Sequence, residues 1–577
     1  MTGLPGSMVL AVVAFAAVVG RLPALGAYWN QDDWGLLAGA AGLDAVASQT
    51  VRWLSRVAYW ELLHPLAGLD PQPYAWTRLV LHAAIATGTV QLARRLGLPL
   101  LQAAVAGLVM AASPLAFTAL YWASGVQDLL AVAAAVWALV AWTGPGPVRA
   151  LIAGLLALAA VAAKETVVAL PVLLLTLAWW GPRPRRSRLD LAIVATATIG
   201  SALALLAATR GFATATGEPY ALGGLGTVLR HLPVYGWWLL QPGPSFTVDP
   251  GVLPLVIGGA LWLAWLGWAI WWWRRGRRAP AVSLLGAVLM LAPLLPLQRH
   301  VAPDLAFPVE PFGCLAIACL VPRRWSPGAS AIGVLGLLGA ASIAWGFLGM
   351  TARLDLRDPD GLPSDPLVRR TAASWQAVQT LERLPIDGRP VVIVQPPLTR
   401  ETAGMAARLG EGWVTGSLLY HALGGPLGPR VALAIDQPVM WANGLRQTPD
   451  EALVLVDAGA ELEPWGFTRQ ALFYQTLTDV GLGHFARARL HLLRGSLLSG
   501  EQLGFLYDPD RLIVPMSRVL ANKDAFIDHL AAGRREGRTA IEIAGLQTNF
   551  FRLLSVCTGL DEAALRRPGD PSERTPR

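Results

Sequence analysis

Residues 251–278 read GVLPLVIGGALWLAWLGWAIWWWRRGRR. Nothing in 251–273 is charged, and a helix of that length crosses a hydrocarbon core about 30 Å thick. The tryptophans of WAIWWW (268–273) stand where amphipathic rings settle at a membrane–water interface, and RRGRR (274–278) follows at once. This stretch is therefore read as a membrane span with its basic end in the cytoplasm. The composition agrees. Of 577 residues, 54% are hydrophobic and only 15% are charged, with mean hydropathy +0.47, whereas soluble domains are about 25% charged. The net charge of +8 raises nucleic acid as a partner. Its arginines fall in short clusters between apolar runs, however, so membrane topology accounts for them and no nucleic-acid role is expected.

Working outward, hydropathy places about eleven spans, near 7–27, 74–93, 98–117, 123–142, 148–163, 165–180, 189–208, 251–273, 280–297, 306–321 and 328–350. Arg94-Arg95, Arg149, GPRPRRSR (181–188), RRGRR and Arg323-Arg324 occupy alternate connections. All fall on one side if the N-terminus is cytoplasmic, which puts the long C-terminal segment outside the plasma (inner) membrane. The start, MTGLPGS, lacks the basic region of a cleaved signal, so the first run is expected to be retained. The apolar stretch VLRHLPVYGWWLL (228–240) would break the charge alternation as a span and is read as an interfacial amphipathic segment. Cys314, Cys319 and Cys557 imply no disulfide framework.

The character changes near residue 351. The expected organisation is a transmembrane domain over 1–350, a Pro/Asp-rich linker over 351–366, a mixed α/β extracytoplasmic domain over 367–565 and a disordered tail over 566–577. RPVVIVQPP (389–397), RVALAI (430–435) and ALVLVDAG (452–459) have the pattern of short buried strands, and TRETAGMAARLG (399–410) that of a helix.

Against this topology, NQDDW (30–34) sets Asp32 and Asp33 at the external mouth of the first span. One reading makes this a solvated loop start, where Asn30 and Asp32 would favour a turn or helix cap. The other makes one carboxylate a general base, taking the proton from an acceptor hydroxyl, or has both hold a cation. The external side also carries Lys164, Glu165, Arg210, Arg230-His231 and Arg299-His300. Lys164 and Lys523 are the two lysines of the chain. Lys164 has an ordinary alternative as an interfacial snorkel, and adjacent Lys164 and Glu165 make a poor pair on a helix. Asp128 lies near the external end of its span, and intramembrane carboxylates usually face a polar interior. His64 and His82 are more often structural than catalytic.

NQDDW resembles the acidic motif of the GT-C glycosyltransferases, the multi-span enzymes that use polyprenyl-linked sugars. Four further stretches are similar to bacterial members related to protein O-mannosyltransferases: 60–96, with Leu81-His82; SPLAFTALYWASGVQDLLA (113–131); AAKETVVALP (162–171); and LAPLLPLQRH (291–300). They follow the family's order along residues 1 to about 350. APDLAFPVEPFG (302–313) departs from the Arg-Tyr-rich stretch common in the relatives, and the C-terminal domain carries no recognisable motif. The resemblance implies a polytopic GT-C fold and an inverting transfer of sugar from a polyprenyl-phosphate donor to a hydroxyl on a glycan, lipid or protein at the external face. It implies Asp32 and Asp33 as catalytic residues. Arg299, His300, Lys164 and Arg210 would bind the donor phosphate, and Asp128, Glu165 and His82 would line the substrate cavity. No cofactor or metal set is required, and there is room for a divalent cation. A flippase for lipid-linked sugars, or a polymerase or ligase using a pyrophosphate donor, would share the spans and the basic external face.

Overall fold

A computed structural model divides the chain into two compact units, residues 1–371 and 372–577. The described residues are 5–30, 32–42, 52–144, 146–180, most of 190–200, 222–240, 251–298, 301–322 and 330–357, with shorter stretches between 363 and 515.

The first unit is helical. Helix α1 (Gly6–Val19) continues through a 3-10 turn to Gly26. Next come α2 (Asp32–Ala40), a π-helical turn at Leu54–Ala58, α3 (Tyr59–Ala67), α4 (Pro71–Arg95), α5 (Leu100–Ala112) and α6 (Ala116–Tyr121). Then follow α7 (Val126–Trp142), α8 (Pro147–Ala163), α9 (Leu170–Trp180), α10 (Leu225–Leu240), α11 (Val252–Arg274), α12 (Ala279–Leu291), α13 (Glu310–Leu320) and α14 (Ser330–Asp355).

Among the described residues, five helical stretches are long and apolar enough to cross a membrane: Gly6–Gly26, Ala123–Trp142, Val252–Arg274, Pro303–Leu320 and Ile332–Asp355. The protein is a membrane protein. Four of the other expected spans are shorter apolar helices, at Leu100–Ala112, Pro147–Ala163, Glu165–Ala178 and Ala279–Leu291. The expected span over 74–93 is α4, which carries the buried Arg78 and His82. Beyond residue 200, the span expected over 189–208 lies outside the described residues. Burial separates centre from rim. Helix α7 is mostly buried, whereas α11 and α14 bury few of their side chains, so the latter two present apolar side chains outward, as a lipid-facing helix should.

Local chemistry sets the ends. Asp70 caps α4 by accepting from the Gln72 N–H at 3.0 Å, and Pro71 takes the first helical position, where a missing N–H costs nothing. The RRGRR turn after α11 places Gly276 at φ 74°, a left-handed conformation that glycine adopts cheaply. The tryptophan belt and the arginines interlock there: Arg275 lies 3.9 Å over the Trp271 ring and Arg277 3.9 Å over Trp272, as cation–π pairs.

The 228–240 segment forms α10, which packs along α11 with His231, Val234, Tyr235 and Trp238 buried and Leu225, Leu229 and Leu240 exposed. The crossing runs through small residues: a Cβ at Gly258 would stand 2.0 Å from the Pro233 carbonyl oxygen. Small residues at such crossings let helix backbones approach closely in membranes.

One buried charge ties the bundle together. Arg21 is 1% exposed. It donates to the carbonyls of Ala111 (3.1 Å) and Ser113 (2.6 Å) at the end of α5, and of Gly346 (3.3 Å) in α14. A guanidinium out of water is tolerated only with its donors satisfied, so this side chain fixes three helices at once. Two turns further on, at the C-terminal end of α14, Arg353 pairs with Asp365 and lies 4.0 Å over the Phe117 ring. The first unit thus reaches past the helix to Thr371, and residues 351–355, expected in a linker, are the last turn of α14.

In the second unit the described residues form strands. β1 (Val391–Val394), β2 (Val431–Ala434) and β3 (Leu453–Asp457) lie inside the three stretches read as strands. With β4 (Leu462–Trp465) they make a sheet ordered β2-β1-β3-β4, parallel except for the last pair. β5 (Gly504–Tyr507) and β6 (Leu512–Pro515) pair antiparallel. The helix expected over 399–410 lies outside the described residues, as does the expected disordered tail.

Candidate active site

The two adjacent carboxylates at the head of α2 have different surroundings. Asp33 is fully buried. Its Oδ2 accepts from the Asn30 N–H at 2.9 Å, while its own N–H returns to the Asn30 carbonyl at 2.9 Å. Together these two bonds tie Asp33 to Asn30 where the chain enters α2. Its Oδ1 accepts from the Ser124 N–H at 2.7 Å and from the Ser124 hydroxyl, tying the loop to the start of α7. Burial raises the Asp33 carboxyl to a pKa of about 7, and the bonds from Ser124 and Asn30 and the charge of Arg78 pull against that rise. The Asp32 side chain is 51% exposed, with its Oδ2 3.8 Å from Arg56 Nη2. Asp33 is thus taken up in holding the head of α2, and the Asp32 carboxylate is half-exposed beside Arg56.

An aromatic cluster gives this loop its shape. Trp29, Trp60 and Tyr74 are all buried, with ring centroids 4.9 Å apart for Trp29–Tyr74 and 5.4 Å for Trp60–Tyr74. Trp29 Nε1 donates to the Leu69 carbonyl at 2.9 Å and the Tyr74 hydroxyl to that of Gly68 at 3.2 Å. Edge-to-face rings add about 0.5–1.5 kcal/mol per pair beyond their burial. Such a loop holds α2 as a fixed platform.

Across from the acidic pair lies a basic segment that sequence reasoning missed. Arg52 and Arg56 stand four residues apart around the π-helical turn. Arg52 grips Glu165 with two nitrogens, Nε to Oε2 at 2.7 Å, and reaches Gln127 Oε1 at 3.3 Å. Ser55 Oγ donates to the Ala163 carbonyl at 2.6 Å, pinning the turn to the last residue of α8. Lys164 Nζ meets both carboxylate oxygens of Asp128 at 2.8 Å. Neighbours in sequence, Lys164 and Glu165 therefore turn to partners on different elements. The signal for Arg52 and Arg56 was their i, i+4 spacing in VRWLSRVAYW, which puts both on one helix face.

Of the residues named from the sequence, Asp32, Asp33, Asp128, Lys164 and Glu165 gather at this end of the bundle, linked through Arg52, Arg56 and Ser124. His82 does not join them: it is buried, with Nε2 3.2 Å from the same Ala111 carbonyl that Arg21 uses. It packs among α4 and α5 at that carbonyl. His231 Nδ1 lies 3.0 Å from the Leu295 carbonyl, which joins α10 to the segment after α12. Arg210, Arg299 and His300 lie outside the described residues. Among the described residues no three His, Cys, Asp or Glu side chains come together as a metal-binding group.

No known family matches the chain, and no curated protein matches it. Solved structures do. The chain is similar to ArnT from Cupriavidus metallidurans bound to undecaprenyl phosphate, at 18% identity and a TM-score of 0.45, over 78% of this chain and 93% of that one. It is also similar to the arabinofuranosyltransferase AftD from Mycobacteria, at 17% identity and a TM-score of 0.37, over 76% of this chain and 34% of that one.

Proposed function

We propose that the chain is an inverting glycosyltransferase that moves a sugar from a polyprenyl-phosphate donor to a hydroxyl of a glycan, lipid or protein at the external membrane face. The observation that carries this reading is the unequal acidic pair. Asp33 is consumed in holding α2, and Asp32 is left half-exposed on a rigid platform beside Arg56. In the proposed reaction the acceptor oxygen attacks the anomeric carbon while Asp32 takes its proton. The new carbon–oxygen bond forms as the bond to the phosphate oxygen breaks, and polyprenyl phosphate departs. Developing charge on the leaving phosphate needs cations aimed at it. Lys164 is held against Asp128, so the reading gives the phosphate first to Arg299, with Arg210 and His300 supporting it. Arginine offers a planar fork of donors suited to phosphate oxygens.

The test compares a deletion strain, its parent and an Asp32→Asn strain by mass spectrometry of lipid-linked and surface glycans. The deletion and Asp32→Asn strains should both accumulate a polyprenyl-phosphate sugar and lose the same surface glycan. Full restoration of that glycan by Asp32→Asn at normal abundance would overturn the reading.

A further inference from the structure

The turn between α11 and α12 concentrates positive charge at one end of a lipid-facing helix. Four of the five residues in RRGRR (274–278) are arginines, and residues 250–303 contain no Asp or Glu. Helix α11 turns Trp262, Trp265 and Ala269 inward, where they are buried. Another face carries Leu263, Leu266 and Ile270, all exposed and recurring at the spacing of a single helix face. That apolar stripe leads to the exposed Trp271 and Trp273, and then to the exposed Arg274, Arg275 and Arg278. Two of the charges in this turn are held in place. Arg275 Cζ lies 3.9 Å over the Trp271 ring and 6.0 Å from that of Trp272, while Arg277 Cζ lies 3.9 Å over Trp272. The two rings meet edge to face with centroids 4.5 Å apart, so both guanidinium groups rest on one aromatic wedge.

We propose that this turn is a binding site for an anionic phospholipid. The headgroup phosphate sits against Arg274, Arg275 and Arg277, and an acyl chain runs along Leu263, Leu266 and Ile270. Charge complementarity selects the head. The stretch offers a phosphate several cations and no carboxylate of its own, whereas a zwitterionic head brings an ammonium that the same arginines repel. Each guanidinium is a planar fork suited to phosphate oxygens. The ring faces fix two of these forks beforehand, which lowers the entropy lost on binding. The occupant is a lipid and not a free phosphate, because the arginines continue an apolar stripe through a tryptophan belt. That is the order of acyl chain, interface and headgroup in a bilayer leaflet. The site shares no residue with the acidic pair of α2 and its neighbours, and it holds whatever reaction they perform.

The experiment uses the full-length protein in nanodiscs with two photoactivatable probes that share the same acyl chains, a phosphatidylglycerol and a phosphatidylethanolamine. Cross-linked peptides are mapped by mass spectrometry. The phosphatidylglycerol should label residues 263–278 about tenfold more than the phosphatidylethanolamine, as expected for two or more arginines near an anionic head. Arg275→Gln combined with Arg277→Gln should bring the two probes close to equal. Arg275→Lys combined with Arg277→Lys keeps the charge and loses the planar fork, so it should lose most of the preference as well. Trp271→Leu removes the ring under Arg275 and keeps all four arginines. It should lower the preference about threefold, and it serves if a double variant fails to fold. Equal labelling of the wild type by both probes overturns the proposal, as does a preference that survives in the folded glutamine variant. Full preference in the lysine variant would reduce the turn to diffuse surface charge and overturn a built site. Displacement of the phosphatidylglycerol by millimolar inorganic phosphate would also overturn it, because the ligand would then be a soluble anion.

Discussion

Asp32 and Asp33 differ by one position and should respond to substitution in opposite ways. Asp32→Asn keeps the size and removes the base, so transfer should fall about 100-fold or more, with thermal stability unchanged within about 0.5 kcal/mol. Asp33→Ala leaves the N–H groups of Asn30 and Ser124 buried without an acceptor, a loss of about 1–3 kcal/mol for each orphaned group, visible as a lower melting temperature in detergent. The pH dependence has a definite sign. Burial raises Asp33 to about 7, above the unfolded value near 4, so the native state holds the proton more tightly than the unfolded chain. Its contribution to stability is full below about pH 4 and is lost as pH rises to about 7, then stays level. Melting measured from pH 5 to 8 should show this fall in wild type and not in Asp33→Asn, which cannot ionise; equal slopes would remove Asp33 as its source. The acidic pair itself was legible in the sequence, standing where an apolar run ends. Which acid would be buried was not, because that depends on Ser124, 91 residues away.

At the scale of elements, the turn carrying Arg52 and Arg56 is held to α8 by two contacts of different kinds, the Arg52–Glu165 pair and the Ser55–Ala163 bond. Glu165→Arg should loosen it, and Arg52→Glu combined with Glu165→Arg should restore part of the loss. A coupling of about 0.5–3 kcal/mol is expected for residues in one network, read from hydrogen exchange at residues 52–67. A coupling near zero would make the pair incidental. A second test concerns α10 and α11. Gly258→Leu drives a side chain into the Pro233 carbonyl, and overpacking of this kind costs about 1–3 kcal/mol or more. The melting temperature should fall, while Gly259→Leu, whose Cβ meets nothing closer than 3.9 Å, should change it little. Hydropathy located most helices because each apolar run is its own signal. It stretched the span expected over 98–117, because α5 stops at Ala112 and the chain turns at Ser113-Pro114 before restarting as α6. The 228–240 segment was read as an interfacial amphipathic segment; that glycines bring it against α11 was not legible, since closeness belongs to a pair of helices.

For the whole molecule, the arrangement of arginine clusters predicts that the α14 end and all that follows face outside. A cysteine at Ser364 should react with a membrane-impermeant maleimide in intact spheroplasts, and one at Arg277 should react only after permeabilisation. The reverse pattern would invert the chain and remove any external transferase. The expected orientation rests on positive charge counted along the sequence. The pairing of cations with acids at the candidate site was not legible there, since Arg52, Gln127 and Glu165 meet only in the folded bundle.

Arg21 also has a meaning for biogenesis. A chain inserted from its N-terminus brings this guanidinium into the membrane early, yet one of its three acceptors, the Gly346 carbonyl, arrives 325 residues later. Until then α1 carries a charge with an unfilled donor, a state that favours delayed release or holding by the insertion machinery. The last helix of the bundle therefore acts as a latch, and nascent chains that stop before it should be the ones a membrane protease finds.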